Sequence, residues 1–125
     1  MYSEKIMEIF SNLKNVREIP NADAKATAIN TICKDKMTVF LKIEENKIKD
    51  IGIKTFGCVA AIVSADALAE FVKGKTLKQA KKITAKEVLN ELGGLPKPKT
   101  HCSVLAIDAL KKAIEEYEKE HNKQV

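Results

Sequence analysis

The sequence predicts an α+β fold: a small antiparallel three-stranded sheet, packed against helices on one face, with an amphipathic helix at the C-terminus. Three observations support this prediction. Apolar residues alternate through 36–45 and 48–56 on either side of a short turn. An alanine-rich apolar stretch follows at 59–72, and apolar residues then recur at helical spacing through the C-terminal segment.

The N-terminal half predicts one short helix followed by the three strands. Apolar residues fall on one helical face near the start of the chain, at Tyr2, Ile6, Met7 and Phe10. After a loop at 15–23, β-branched residues favour a weak strand at 24–32. Clearer alternation favours strands at 36–45 and 48–56, joined by a tight turn at 45–47. Phe40 breaks the alternation, because it is an apolar residue on the polar face.

The C-terminal half predicts only helices. The stretch 59–72 is apolar nearly all round, which is typical of a buried helix. Thr76 and Thr84 have the character of N-caps, and Glu87 stands at the capping-box position relative to Thr84. These threonines open two short helices that end at 93–94. A proline-rich, extended segment then leads to a helix whose apolar stripe is Val104, Ile107, Leu110, Ile114 and Tyr117.

Length and composition indicate one ordinary domain. The chain has 125 residues, of which 45% are hydrophobic and 31% charged, and we expect 1–125 to form a single domain. No apolar run approaches the roughly 20 residues that span a bilayer, and the first residues do not resemble a secretion signal. We therefore expect a cytoplasmic protein without a membrane partner.

The net charge of +5 fits an acidic protein partner as well as a nucleic acid. The lysines that cluster do so at Lys73, Lys75, Lys78, Lys81 and Lys82. The basic stretches have no aromatic residues among them to stack bases, so we expect no nucleic-acid partner.

The three cysteines, an odd number, do not suggest a disulfide framework. Cys58 follows Gly57 where the third strand passes into the apolar helix, and the positive end of a helix favours a thiolate. Cys33 lies at the end of the first strand, and in an extended segment its side chain and that of Asp35 point the same way.

The third cysteine, Cys102, follows His101, and we expect this pair to lie just ahead of the C-terminal helix. All three sulfurs are therefore predicted at the ends of elements, where side chains can converge. Three thiolates with one nitrogen or oxygen ligand suit zinc or an iron–sulfur cluster. Because local C-x-x-C pairs are absent, buried packing cysteines and a reactive thiol remain open as alternatives.

Several motifs together resemble the IscU/NifU-type scaffold proteins for iron–sulfur cluster assembly. Residues 54–58, KTFGC, match the motif of the same letters, and residues 71–75, FVKGK, are similar to W-V-K-G-K. Residues 101–106, HCSVLA, match H-C-S-x-L-A, and the run from Cys33 to Asp35 matches C-G-D with Lys34 in place of the glycine. Residues 12–16, NLKNV, are similar to N-P-R-N-V. The resemblance extends over nearly the whole chain.

This resemblance implies a SufE/NifU-like fold and a scaffold rather than an enzyme. A cysteine desulfurase would supply sulfur, and a labile [2Fe–2S] cluster would form on Cys33, Cys58 and Cys102. Asp35 or His101 would complete the ligand set, and Cys102 or Cys33 would accept persulfide. Such scaffolds also bind zinc at the same site. A zinc-binding module and a persulfide-carrying sulfur acceptor are the alternative functions for these cysteines.

The resemblance also implies partners. The cluster would pass to apo iron–sulfur proteins, with an Hsp70-type chaperone, frataxin and ferredoxin as further partners, and a homodimer would be expected if larger clusters form. The chaperone motif L-P-P-V-K corresponds here to a segment with a displaced second proline: Leu95, Pro96, Lys97, Pro98 and Lys99. The same segment could instead be a rigid spacer that directs His101 and Cys102.

Overall fold

The computed structural model describes residues 3–31, 34–95 and 101–122, and all structural statements refer to these residues. The elements in chain order are α1 (Glu4–Ser11), β1 (Ala24–Asn30), β2 (Asp35–Glu44), β3 (Lys47–Phe56), α2 (Val59–Val72), α3 (Leu77–Lys81), α4 (Ala85–Leu92) and α5 (His101–Asn122). The predicted α+β architecture is confirmed.

The three strands form an antiparallel meander in the order β1-β2-β3. Asn30 pairs with Asp35 at one end of the sheet, and Ile43 pairs with Ile48 near the other. Glu45 and Asn46 join β2 to β3, and both have positive φ, 54° and 61°. Two consecutive left-handed residues are typical of a tight hairpin turn whose twist matches that of its strands.

Helices cover the inner face of the sheet. Inward residues of the strands alternate with exposed ones, as in Ala24, Ala26 and Ala28 of β1, and pack against apolar residues of α2 and α5. The largest side chains that are almost completely buried are Ile6, Met37, Leu41, Ile48, Ile51, Ile53, Leu68, Leu92, Leu110 and Ile114. Because α2 lies in the middle of this core, most of its residues are apolar whichever way they face.

The outer face of the sheet is partly covered by the chain between α1 and β1. Ile53 donates its N–H to the carbonyl of Asn15, and Arg17 donates its N–H to the carbonyl of Ile53. A Cβ on Gly52 would lie 2.4 Å from the carbonyl oxygen of Arg17, so only glycine permits this approach. The segment therefore occupies hydrogen-bonding groups at the free edge of β3 and limits pairing with another strand there.

Several predictions about element ends and buried faces were wrong in detail. The first strand ends at Asn30 rather than at 32, because the chain turns at Thr31. Met7 and Val104 are 44% and 47% exposed, so they lie on the flanks of their helices rather than in the apolar stripe. Phe40 is buried although it lies on the outer face, and the ammonium group of Lys25 lies 5.4 Å from its ring centre, within cation–π distance.

The predicted caps of the short helices are confirmed. The Thr76 and Thr84 hydroxyls accept hydrogen bonds from backbone N–H groups three residues on, and both helices have the complete capping box. Gly93 ends α4 with φ 74°, a conformation that glycine adopts without strain. In the part of the chain that the structure describes, no helix is both long and apolar enough to cross a bilayer.

Candidate metal centre

Cys58 lies at the junction between β3 and α2. It is the N-cap residue of α2, with φ −81° and ψ 175°, and its carbonyl accepts the N–H of Ile62. The side chain of an N-cap residue commonly accepts a hydrogen bond from the first turn, but the Cys58 thiol does not. The half-buried Cys58 sulfur therefore takes no part in capping, and it lies at the positive end of a 14-residue helix.

Cys102 reaches the same place from the first turn of α5. Its side chain is completely buried and packs against Ala60 and Ala61 in the first turn of α2, together with Leu95. The small alanine side chains permit the ends of the two helices to approach closely. The prediction that Cys102 and His101 lie ahead of the helix was wrong, because α5 begins at His101.

Asp35 supplies a carboxylate to these two sulfurs. It is the first residue of β2 and is 6% exposed, and a carboxylate so deeply buried is uncommon without a partner. A Cβ on Gly57 would lie 2.8 Å from Asp35 Oδ1, so the glycine between β3 and α2 leaves the space that the carboxylate occupies. The Asp35 carboxylate is thus the group that approaches the backbone closely at Gly57.

The loop before Asp35 is not extended, contrary to prediction. Lys34 has φ 59°, in the left-handed region that favours glycine over lysine. The backbone therefore takes a left-handed turn at Lys34, directly before Asp35. The predicted alignment of the Asp35 side chain with that of Cys33 involves a residue that the structure does not describe. Cys33 itself lies outside the described residues.

The distances among the three ligand groups are those of a metal site. Cys58 Sγ and Cys102 Sγ are 3.9 Å apart without a disulfide, and Cys102 Sγ is 3.9 Å from Asp35 Oδ2. All three ligand atoms lie within 4.8 Å of one another. Two thiolates on one tetrahedral metal, with metal–sulfur bonds of about 2.3 Å, are separated by about 3.8 Å. The two helix-start cysteines therefore already have the spacing of neighbouring ligands.

His101 lies at the margin of this group. Its Nε2 is 3.7 Å from Cys102 Sγ, and its side chain is half-buried. The described set of ligand atoms that lie within 4.8 Å of one another contains Asp35 but not His101. The geometry thus places Asp35 nearer the centre of the site than His101.

The proline-rich segment is described only at its first residue. Leu95 is half-buried and packs beside Cys102, whereas Pro96, Lys97, Pro98 and Lys99 lie outside the described residues. The contact of Leu95 connects this segment physically to the sulfur ligands.

A buried polar network holds α2 in place some distance along the helix from the cysteines. The Asp66 carboxylate accepts the N–H groups of Lys14 and Asn15 at 3.0 and 2.8 Å. The Asn15 amide donates to Glu70, and with the Lys73 ammonium nearby it lowers the pKa of that carboxyl. No local sequence pattern indicates this network, because Asn15 lies 51 to 58 residues from its partners Asp66, Glu70 and Lys73.

Comparison with known proteins relates the whole chain to one family. A model of the NifU-like N-terminal domain matches residues 1–124. The iron–sulfur cluster assembly scaffold protein IscU 1 of Archaeoglobus fulgidus is 47% identical over 123 residues, which are 98% of this chain and 80% of that protein. The scaffold protein IscU of Aquifex aeolicus is 39% identical over 118 residues, which are 93% of this chain and 75% of that protein.

The fold is also similar to a solved structure. The N-terminal part of a NifU-like protein from Brucella abortus superimposes with a TM-score of 0.74 at 23% sequence identity, and the match covers 94% of each chain. At that identity the match bears on the fold alone.

Proposed function

The chain belongs to the NifU-like N-terminal domain family, and from this premise we propose that it is a scaffold for iron–sulfur cluster assembly. It would receive sulfur from a cysteine desulfurase, hold a labile [2Fe–2S] cluster as its cargo, and pass the cluster to apo-proteins. The observation that carries this proposal is the convergence of Asp35, Cys58 and Cys102 within 4.8 Å. The relatives named as scaffold proteins support it.

The proposed protein ligands are Cys33, Cys58 and Cys102, with Asp35 as the fourth. The separation of 3.9 Å between the Cys58 and Cys102 sulfurs fits two thiolates at one tetrahedral iron. Asp35 is favoured over His101 because its carboxylate belongs to the compact group of ligand atoms. The Cys58 thiol is free of helix capping and is available to the iron.

A carboxylate in the fourth position suits transfer better than storage. Iron–sulfur clusters are usually held by four thiolates, and a hard oxygen ligand weakens one corner of the set. A thiolate of the receiving protein can displace that oxygen more readily than it can displace another thiolate. Gly57 contributes to this arrangement because it leaves room for the Asp35 carboxylate beside the thiols.

Sulfur delivery requires access to a cysteine of this chain. In the proposed step the outer sulfur of the desulfurase persulfide forms a bond to the accepting thiolate, the original S–S bond breaks, and the desulfurase thiolate leaves. Reduction of the transferred sulfur to sulfide then requires an electron pair, which we assign to a ferredoxin partner. Cys102 is completely buried, so a donor can reach its sulfur only after Asp35, Cys58 or Leu95 moves.

We also propose further partners, and for the chaperone we propose the segment that it contacts. Leu95 and the residues 96–99 after it are the proposed contact for an Hsp70-type chaperone, and Leu95 already packs beside Cys102. A chaperone bound there would contact Leu95, which packs beside the Cys102 sulfur. Frataxin and a second copy of the chain are further proposed partners.

Anaerobic reconstitution tests the proposal. The protein is incubated with ferrous iron, cysteine, a cysteine desulfurase and dithiothreitol, which supplies the electron pair for reduction of the persulfide. Visible absorbance, iron and acid-labile sulfide are measured before apo-ferredoxin is added. A scaffold gains a coloured cluster that moves to the ferredoxin. Colourless protein that retains zinc would instead identify a zinc module, and protein that gains sulfur mass without iron would identify a persulfide carrier. Either result would overturn the scaffold assignment.

A further inference from the structure

Two buried hydroxyl groups have no hydrogen-bond partner among the residues that the structure describes. They are Thr55 Oγ1, near the end of β3, and Ser64 Oγ, within α2. Buried polar groups in folded proteins are almost always hydrogen-bonded, and a buried hydroxyl without a partner destabilises the fold. Such a group needs an explanation, and for Thr55 the metal centre beside it supplies one.

Thr55 lies on the inner face of the sheet, diagonal to Asp35. Thr55 pairs with Met37, and Asp35 comes two residues before Met37 on β2. Side chains two residues apart on a strand project from the same face, so Asp35 and Thr55 are on the same side of the sheet. Diagonal neighbours of this kind have Cβ atoms somewhat less than about 7–8 Å apart. A hydroxyl and a carboxylate that extend toward each other can close this gap to a hydrogen bond.

The two oxygens of the Asp35 carboxylate have different neighbours. Oδ2 lies 3.9 Å from Cys102 Sγ, on the side of the sulfur ligands. Oδ1 lies 2.8 Å from the position that a Cβ on Gly57 would occupy, two residues beyond Thr55 in the chain. A carboxylate that binds a metal through one oxygen can accept a hydrogen bond at the other, and ligating carboxylates are generally held in this way. Thr55 offers a buried hydroxyl for that second oxygen.

We propose that Thr55 is a positioning residue of the metal centre, and that its hydroxyl donates a hydrogen bond to Asp35 Oδ1 when Oδ2 binds a metal ion. This inference rests on the metal-binding site of the function proposed above. The two groups are not hydrogen-bonded to each other in the structure, so the bond requires a small movement of the Asp35 side chain toward the metal. The bond would then satisfy the Thr55 hydroxyl and determine which carboxylate oxygen is the ligand.

The zinc affinity of the purified protein tests this inference without any cluster assembly. Zinc binding is measured in competition with a chromophoric chelator. Thr55→Val removes the hydroxyl at nearly constant shape, and Thr55→Ser retains it. We expect Thr55→Val to weaken zinc binding about 10-fold and Thr55→Ser to stay within about twofold of wild type, because the hydroxyl orients a ligand. In an Asp35→Ala background Thr55→Val should have no further effect, since the acceptor is absent.

Stability measurements separate this role from a structural one. Thr55→Val removes a buried hydroxyl that has no partner in the described structure, so the urea midpoint of the metal-free protein should equal or exceed that of wild type. Ser64→Ala is the matched control, because it removes the other such hydroxyl about 9 Å along the axis of α2 from Cys58. Ser64→Ala should bind zinc with wild-type affinity.

Four results would overturn the inference. Wild-type zinc affinity in Thr55→Val would show that the hydroxyl has no role, and an equal loss in Thr55→Ser would show that shape matters instead. The same loss with and without the Asp35 carboxylate would show that Thr55 acts on another group. A lower urea midpoint in metal-free Thr55→Val would assign the effect to the fold. Failure of the wild type to form a transferable cluster would instead contradict the scaffold function and leave the zinc result intact.

Discussion

Replacement of Gly57 by alanine tests whether this glycine makes room for the Asp35 carboxylate. The new Cβ would lie 2.8 Å from Asp35 Oδ1 and 2.9 Å from Asp35 Cγ. An ordinary contact needs 3.4 Å or more, so the buried carboxylate would have to retreat by about 0.6 Å. Gly57 is not among the glycines with positive φ, so alanine is acceptable to the backbone and the contact alone makes the change unfavourable.

Overpacking of this kind lowers the free energy of unfolding by about 1–3 kcal/mol. We expect Gly57→Ala to have this cost in the otherwise wild-type protein, measured by urea denaturation of the metal-free form. In an Asp35→Ala background the obstructing carboxylate is absent, and the cost should fall below about 0.5 kcal/mol. The difference between the two costs is the coupling energy between the residues.

Gly74→Ala provides a control for this double-mutant cycle. Gly74 has φ 88° and open space around its Cα, so alanine there is unfavourable because of the backbone conformation alone. Its cost should be the same with or without the Asp35 carboxylate. If Gly57→Ala were equally unfavourable in both backgrounds, Gly57 would not be the residue that admits Asp35.

Three further predictions follow from the same structure. Asp35→Ala should lengthen the lifetime of a chemically reconstituted cluster, whereas Asp108→Ala on the exposed face of α5 should not. Faster loss of visible absorbance in Asp35→Ala would contradict the argument that the Asp35 oxygen is the most easily displaced ligand. Lys34→Gly should raise the free energy of unfolding by about 0.5–1 kcal/mol in urea, because glycine adopts φ 59° without strain, and an unchanged or lower value would contradict this. The hydrogen bond from Asn15 lowers the pKa of Glu70 below its ordinary value of 4.5. The stability that this carboxylate contributes is therefore present above the ordinary pKa and is lost as the pH falls through the lower pKa of the folded protein. The difference in unfolding free energy between wild type and Glu70→Gln should shrink in acid, and a constant difference would refute the assignment.

The regular elements could be predicted because their signals are local. Apolar alternation located the second and third strands to within one residue at each end, and the apolar composition of 59–72 located α2. Thr84 and Glu87 identified a helix start because a capping box lies within four consecutive residues. In such cases the residues that determine the structure are neighbours in the chain.

The geometry of the site could be predicted only in part. Cys58, Cys102 and Asp35 were identified as ligand candidates by residue type and by the family motifs, and two of the three cysteines are now seen to converge. The turn at Lys34 was missed, because a lysine gives no local sign of a left-handed conformation. The exposure of Phe56 was also missed, since the side chain of a strand residue is buried or exposed according to which distant segment covers it.

X-ray absorption at the zinc edge tests most directly whether the three cysteines and Asp35 form one metal centre. The metal-free protein is loaded with one equivalent of zinc, and the number of sulfur and oxygen or nitrogen neighbours is compared between wild type and Cys33→Ser. We predict three sulfur neighbours and one oxygen or nitrogen neighbour in the wild type, with one sulfur fewer in Cys33→Ser. An unchanged zinc environment in Cys33→Ser, or zinc without sulfur neighbours in the wild type, would contradict this arrangement.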